Sequence, residues 1–265
     1  MDMDASLSRA DVDDRLADAV AELRRERRRI TDELEALEAF ADRVRSIPTE
    51  HHTPRSRRPV GVATETSGAA TGLRQVREAY ESTLMSVPHY VEEYDDTYVE
   101  SLAEEFSPDI ASALTDGAAF NGRCKRALLS AVDTSRSARD SLVDVVDRER
   151  KSVRDAKSEL EELAAECADL GSTEFGEMRF GTLDAYRSRL RVMEGNCEAL
   201  SDRRQDAIFD QRRIQRLPAD VPDVTVYFYQ DLDADYPVMS VVAALLDAIA
   251  AQRRRVEREM ARCQS

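Results

Sequence analysis

The chain is poor in the residues on which loop-rich, disulfide-bonded and metal-binding proteins depend. Its 265 residues include no tryptophan, three histidines, four cysteines, nine glycines and eight prolines. So little glycine and proline disfavours a β fold with many turns, whereas 34% charged residues suit long, solvated helices. The cysteines lie far apart and form no CxxC pair, so the sequence predicts reduced thiols and neither a disulfide framework nor a zinc ribbon.

Lysine is also scarce: Lys125, Lys151 and Lys157 are the only ones, and 53 acidic residues oppose 38 basic ones. Dense carboxylates keep a surface hydrated and repel each other weakly once molar salt shortens the Debye length to about 3 Å. The composition therefore favours the cytoplasm of a halophile over an ordinary acidic coiled coil. No secretory signal begins the chain, and its best apolar run, residues 237–251, contains Asp247 and is too short to span a membrane. We expect a cytoplasmic protein without a membrane segment.

Apolar residues repeat at alternating steps of four and three, which is the spacing of a helix that packs along partner helices. Four such seams run from Leu16 to Val44, from Leu142 to Leu170, from Leu183 to Ile214 and from Val238 to Cys263. They predict an all-α fold, an elongated antiparallel four-helix bundle or coiled coil. A small helical head and one short extended or strand-like aromatic segment complete the predicted fold.

Polar residues interrupt these seams at Arg27, Glu149, Arg204 and Gln211. A buried pair such as Arg27 with Glu149 would add little net stability but would fix the register between helices. The alternative is that these side chains are exposed where the bundle frays or bends.

The connections between the seams suggest how the chain is divided. The predicted segments are a first bundle helix (1–47), a flexible linker (48–72), a helical head insert (73–120), a long helical hairpin (121–217), an aromatic crossover packing on the head (218–237) and a fourth bundle helix (238–265). Within the insert we expect one helix from Gly72 to about Val87 and another from Tyr90 to Phe106. A third should be capped by Ser107, with Pro108 in its first turn, and from about Phe120 a helix of up to 50 residues should begin.

Aromatic residues are concentrated outside the seams. Tyr90, Tyr94 and Tyr98 follow an i, i+4, i+8 pattern that would line one helix face, and "VTVYFYQDLDADYP" (224–237) is typical of a buried strand. These rings either seal the end of the bundle as core or form an open surface for a partner. In the second case, the strand edge could also pair with a strand of the partner. The candidate partner contacts are Tyr227, Phe228, Tyr229, Tyr236, Tyr90, Tyr94 and Tyr98.

Sequence signatures of catalysis are missing. The chain has no HExxH, GxSxG or P-loop pattern, and its few histidines do not suit a di-iron bundle. His51 and His52 are adjacent in the linker without a third ligand nearby, so we interpret them as solvated. The sequence thus predicts no catalytic, metal or cofactor residue and no small-molecule substrate. A closed polar pocket with converging carboxylates would instead indicate an enzyme.

Arginines cluster in "RRERRR", residues 24–29. Arg24, Arg25, Arg28 and Arg29 are candidate nucleic-acid contacts, but phosphate binding weakens steeply with salt and the chain as a whole is acidic. We expect these side chains to lie along the bundle and pair with carboxylates of neighbouring helices instead.

Three stretches carry a resemblance to a known family. "LMSVPHYVEEYDDTYVESLAEEFSPDIASAL" (84–114), "YPVMSVVAALLDAI" (236–249) and "AVAELRRERRRITDELEALEAFADRV" (19–44) together resemble an uncharacterised all-helical protein family of halophilic archaea. The resemblance covers most of the chain, implies an archaeal cytoplasmic setting and supplies no site. We therefore expect a non-enzymatic interaction or scaffold protein that binds another protein, including a second copy of itself. The alternative is a nucleic-acid-associated or regulatory protein that uses the arginine cluster.

Overall fold

The computed structural model describes residues 7–49, 69–215 and 223–263, and in these ranges the fold is all-α, as predicted. Its helices are α1 (Arg9–Ser46), α2 (Ala69–Glu81), a 3-10 turn (Leu84–Ser86), α3 (Tyr90–Glu93), α4 (Tyr98–Glu105), α5 (Pro108–Thr115), α6 (Gly122–Gly171), α7 (Phe180–Gln215), α8 (Val224–Phe228) and α9 (Pro237–Arg262). Most of the predicted linker (residues 50–68) and part of the crossover (218–222) lie outside the described residues. None of the described helices is both long and apolar enough to cross a membrane.

The chain divides into two compact units. The first unit comprises Met1–Glu26 and Val145–Ser265, and the second comprises Arg27–Asp144. Helices α1 and α6 therefore contribute one part to each unit, whereas α2 to α5 belong to the second and α7 to α9 to the first.

In the first unit, α1, α6, α7 and α9 form an antiparallel helical bundle. The side-chain contacts that show this are Arg9 with Glu161 and Asp13 with Lys157 (α1 and α6), Glu149 with Arg204 and Glu166 with Arg189 (α6 and α7), and Glu194 with Arg253 and Ser201 with Met239 (α7 and α9). In each helix pair, residue numbers rise along one helix as they fall along the other. The predicted helical bundle is confirmed in this unit.

The seams supply the core of that bundle. Leu190, Met193 and Cys197 on α7 and Leu245 and Ile249 on α9 have no solvent exposure. Burying a side chain the size of leucine, isoleucine or methionine contributes roughly 1.5–3 kcal/mol. The four-three spacing therefore correctly identified the faces that pack.

Two local predictions, one about the last helix of the insert and one about the long helix that follows it, are also confirmed. Helix α6 is 50 residues long. The Ser107 side chain accepts a hydrogen bond from the backbone N–H of Ile110 at 3.3 Å, and Pro108 occupies the first turn of α5, where its missing N–H costs nothing.

The predicted helix from Tyr90 to Phe106 is wrong, because the chain breaks it into α3 and α4. Asp95 adopts a left-handed conformation, with φ of 46°. Thr97 then begins α4 with a capping box: its hydroxyl accepts from the Glu100 backbone N–H, and the Glu100 carboxylate accepts from the Thr97 backbone N–H at 3.0 Å. Tyr90 and Tyr98 therefore lie on different helices, and the three tyrosines do not share one helix face.

The predicted strand-like aromatic segment is also wrong, because residues 224–228 form the short helix α8. Its backbone hydrogen bonds are local, for example from Tyr229 N–H to Thr225 O at 3.1 Å. The described residues contain no strand that could pair with it, so a helical turn satisfies its backbone instead. Thr225, Phe228 and Tyr229 are buried at helical spacing, whereas Tyr227 is 50% exposed.

The core of the second unit is built around aromatic rings. The Tyr80 ring lies 5.4 Å from that of Phe40, 5.6 Å from that of Tyr98 and 6.1 Å from that of Phe106, each in an edge-to-face arrangement. This cluster joins α1, α2 and α4. Tyr80 and Phe40 are among the largest fully buried side chains, so this cluster fixes where α2 and α4 lie on α1.

Candidate functional site

The second unit contains a cavity of about 230 Å³. Ala36 and Leu37 on α1, Tyr80 on α2, and Leu84 and Val87 in and after the 3-10 turn give it an apolar lining. We call this space the cavity.

Two tyrosines complete the aromatic side of the cavity. Tyr90 on α3 is buried, and Tyr94, the C-terminal cap of α3, is 46% exposed. Their ring centres are 5.6 Å apart. Since Tyr94 and the lining residue Glu104 are both exposed, the cavity opens to solvent.

Polar residues line the rest of the cavity: Glu33, Asp96, Ser101, Glu104, Glu105 and Arg139. The Tyr80 hydroxyl and the Ser101 hydroxyl are 2.8 Å apart and hydrogen-bonded, so both buried oxygens have a partner. Among the described residues, the lining thus holds four carboxylates and a single cation.

Arg139 on α6 joins two of these carboxylates. Its guanidinium donates to both oxygens of Glu105, at 2.9 and 2.7 Å, and its Nε donates to Glu33 Oε2 at 2.6 Å. Glu33 Oε1 in turn accepts from the Tyr94 hydroxyl at 3.0 Å and lies 3.1 Å from His89 Nε2. We call these five side chains the Arg139 network; they bring together α1, α3, α4, α6 and the residue that precedes α3.

The Arg139 network keeps its central carboxylate ionised. Burial alone would raise the pKa of Glu33, but the charge of Arg139 and the hydrogen bonds from Arg139, His89 and Tyr94 hold that pKa below its ordinary value. Burial also raises the pKa of the Tyr94 hydroxyl, and the neighbouring charge of Glu33 raises it further. At neutral pH the network therefore combines an ionised glutamate, an arginine and a neutral tyrosine.

The structure places the predicted partner contacts in both units. Tyr90 and Tyr94 line the cavity, whereas Tyr98 is buried and its ring contacts that of Tyr80. The crossover residues Tyr227, Phe228, Tyr229 and Tyr236 belong to the first unit. Packing of the crossover on the insert stays a prediction.

In the first unit, Tyr229 donates a hydrogen bond to a buried ion pair. Arg204 Nη1 donates to Glu149 Oε2 and to the Ser152 hydroxyl, both at 2.9 Å, and the Tyr229 hydroxyl donates to Glu149 Oε1 at 2.6 Å. The side chains of Arg204 and Glu149 are only 5% and 2% exposed. We call these four residues the Arg204 network. The partner of Glu149 is thus Arg204 and not Arg27, which corrects the pair suggested by the sequence.

The other crossover aromatics differ in their contacts. Phe228 is buried, the Tyr236 hydroxyl donates to Asp223 Oδ2 at 2.9 Å, and the Tyr227 hydroxyl donates to Glu26 Oε1 at 3.2 Å. Of the crossover residues proposed as partner contacts, Tyr227 has the most accessible ring, and Tyr229 is core.

The candidate nucleic-acid contacts divide into two kinds. Arg25 forms a salt bridge with Glu22 on its own helix, and Arg29 forms one with Glu93 on α3. Arg24 and Arg28 are exposed.

Sequence reasoning missed most of the polar residues around the cavity. Glu33, Glu105 and Arg139 lie off the seams, and Glu33 is 106 residues from Arg139 along the chain. An antiparallel register of α1 and α6 would have paired them, as it pairs the Lys125 ammonium with the Ile47 carbonyl at 2.8 Å. The long insert between these helices hides that register from any local pattern.

These features define an all-α helical-bundle protein that carries an aromatic and acidic cavity in one of its two compact units. The chain matches the family described as "Domain of unknown function (DUF7260)" over residues 14–253, and it therefore belongs to that family. No curated protein and no solved structure matches the chain significantly.

Proposed function

We propose that this protein is a non-enzymatic protein-binding or scaffold protein, and that its cavity receives a side chain of a partner protein. The observation that carries the proposal is a cavity of about 230 Å³ with tyrosine walls that opens to solvent beside Tyr94. Interfaces are enriched in tyrosine, and the residues that anchor a complex fill pockets of this kind.

Exposed apolar side chains on the neighbouring elements support a docking role. Val91 on α3 is 71% exposed and Val99 on α4 is 48% exposed. They flank Tyr94 in sequence and lie on the two short helices that carry Tyr90 and Tyr98. A partner that reaches the cavity would find apolar surface on these same helices to cover.

The electrostatics of the cavity favour binding over acid–base catalysis. A general acid or base works best with a pKa near the operating pH. The pKa of Glu33 is held below its ordinary value, which moves it further from neutral pH. Glu105 is bound by the two terminal guanidinium nitrogens of Arg139. Glu33 and Glu105, the two cavity carboxylates that Arg139 joins, are thus already engaged in a structural ion-pair network.

We further propose that the protein works in the high-salt cytoplasm of a halophilic archaeon. The net charge of −15 and the near absence of lysine support this setting. At molar salt the repulsion among surface carboxylates is screened, while partly buried pairs such as those of the Arg139 network are screened much less. A protein of this composition should gain stability as KCl is raised.

The binding proposal is tested by a substitution that fills the cavity with a larger side chain. Ala36→Leu adds a side chain to a residue that lines the cavity, and Ala39→Leu adds the same side chain three residues away at an exposed position of the same helix. We expect proteins cross-linked to the native chain in a high-salt lysate, identified by mass spectrometry, to persist with Ala39→Leu and to be lost with Ala36→Leu. Partners that bind both variants equally would refute binding through the cavity.

Self-association is a special case of the same test. If the partner is a second copy, light scattering will show a dimer for the native chain and for Ala39→Leu, and a monomer for Ala36→Leu. Nucleic-acid binding is the alternative function. The structure supports this hypothesis less well, because Arg25 and Arg29 are already paired with glutamates. Retention of duplex DNA or RNA that increases as KCl is lowered, and that falls in Arg24→Gln/Arg28→Gln, would favour it.

A further inference from the structure

We infer that the cavity binds a basic side chain, arginine or lysine, presented by the partner protein; this inference rests on the proposed protein-binding function and names the chemistry of its ligand. The inference draws on four properties of the cavity: its size, its apolar floor, its tyrosines and its excess of carboxylates.

Size and apolar lining suit one long side chain. An apolar protein cavity of about 150 Å³ accommodates a benzene ring, so the cavity of about 230 Å³ has room for something larger. Ala36, Leu37, Leu84 and Val87 provide apolar surface for a stem of methylene groups. Arginine and lysine bury such a stem while their charged end stays near polar groups.

The tyrosines of the cavity suit a cation. Tyrosine rings attract guanidinium and ammonium groups that lie within about 6 Å of the ring centre. The same fold already uses this interaction, since the Arg77 guanidinium lies 4.9 Å from the centre of the Tyr98 ring and that of Arg255 lies 5.5 Å from the centre of the Phe175 ring. Tyr90 and Tyr94 both line the cavity, and Tyr94 is 46% exposed.

The carboxylates make the net charge of the cavity negative. Arg139 neutralises part of the charge of Glu33 and Glu105, but Asp96 and Glu104 also line the cavity. Neither of these two takes part in an ion pair with another residue of the described part of the chain. A cation that enters therefore gains two carboxylates that Arg139 does not hold, whereas an anionic side chain would be repelled.

High salt does not remove this preference. At molar salt the Debye length is about 3 Å, which screens distant charges but acts weakly on charges in contact within a partly buried site. Asp96 is half-buried, and the aromatic contribution is short-ranged. Recognition should therefore weaken at about 2 M KCl without disappearing.

A pair of peptides tests the inference. The probes are the capped peptide Gly-Gly-Arg-Gly-Gly and its counterpart with citrulline, which has the shape of arginine without the charge. Binding to the native full chain is measured by ligand-observed NMR at millimolar peptide. We expect the arginine peptide to bind at least about tenfold more tightly than the citrulline peptide.

Variants of the chain locate the binding. Asp96→Asn/Glu104→Gln should weaken the arginine peptide by about tenfold or more, and Glu104→Gln alone, at an exposed position, by about two- to fivefold. Glu35→Gln removes an exposed carboxylate of α1 that does not line the cavity, and it should leave the affinity unchanged. Far-ultraviolet circular dichroism confirms that each variant is folded.

The outcomes separate the inference from the function on which it rests. Equal binding of the two peptides, or no binding of the arginine peptide, overturns the inference even if Ala36→Leu still abolishes partner capture, and protein binding through the cavity then stands. Retained partner capture by Ala36→Leu counts against the proposed function instead. An arginine peptide that binds the double variant as tightly as the native chain also overturns the inference.

Discussion

The Arg204 network makes the sharpest prediction about stability. Arg204→Met removes the guanidinium and leaves the carboxylate of Glu149, whose side chain is 2% exposed, with the Tyr229 hydroxyl as its remaining donor in the network. Breaking a buried ion pair from one side costs about 3–5 kcal/mol. Replacing three of the four network residues together, with Arg204→Met, Glu149→Met and Tyr229→Phe, removes the stranded charge, so the triple variant should be within about 1 kcal/mol of the native chain.

Urea unfolding followed by circular dichroism at fixed KCl measures these differences, with equal m values as the check that the unfolded states match. The matched control is Arg203→Met, since the adjacent Arg203 pairs with Glu159 and both side chains are more than half exposed, at 57% and 52%. This control should stay within about 0.5 kcal/mol of the native chain. The reasoning is refuted if Arg204→Met costs no more than Arg203→Met, or if the triple variant is as unstable as the single one.

Three further predictions concern individual groups. Tyr229→Phe removes a buried hydrogen bond to a carboxylate and should cost about 1.5–3 kcal/mol in urea unfolding, whereas Tyr227→Phe, at a half-exposed ring, should cost less than about 0.5 kcal/mol; similar losses would contradict the burial of α8. Because folding lowers the pKa of Glu33, its ionised side chain stabilises the fold above the ordinary glutamate pKa, and that contribution is lost as the pH falls through the lowered pKa. The native chain and Glu33→Gln should therefore converge in stability as the pH is lowered below the ordinary pKa of 4.5; a constant difference would argue against the Arg139 network. Burial raises the pKa of Cys197 to about 11, so a thiol reagent at pH 8 should modify the exposed Cys263 first and Cys197 only on unfolding, as peptide mapping of the labelled chain would show.

Local rules in the sequence predicted the helices well. The four-three seams depend on the fixed geometry of the α-helix, and the cap at Ser107 with Pro108 after it depends on backbone donors within one turn. The break between α3 and α4 could also have been predicted from nearby residues. Thr97 and Glu100 stand three residues apart, which is the signature of a capping box, and following the tyrosine spacing instead led to the wrong single helix.

The aromatic crossover shows where propensity fails. Residues 224–229 are three β-branched residues followed by three aromatic ones, and both types favour a strand when a neighbouring strand is present to accept their hydrogen bonds. The described structure supplies none, so the segment closes its own hydrogen bonds as α8 and buries Tyr229 against the Arg204 network. The outcome depended on what lay beside the segment and not on its own residues.

The sequence alone determined that this protein is all-α, where its long helices run and which of their faces are apolar, because each of these follows from interactions within a few residues. Only the tertiary structure decided that Glu149 pairs with Arg204, that Glu33 meets Arg139 across 106 residues, and that Tyr80, Tyr90 and Tyr94 line one cavity. Ion pairs between helices depend on register, and a cavity is what remains when several helices have packed as closely as their side chains allow. Neither the register of the helices nor the shape of the cavity is encoded in any single stretch of the chain.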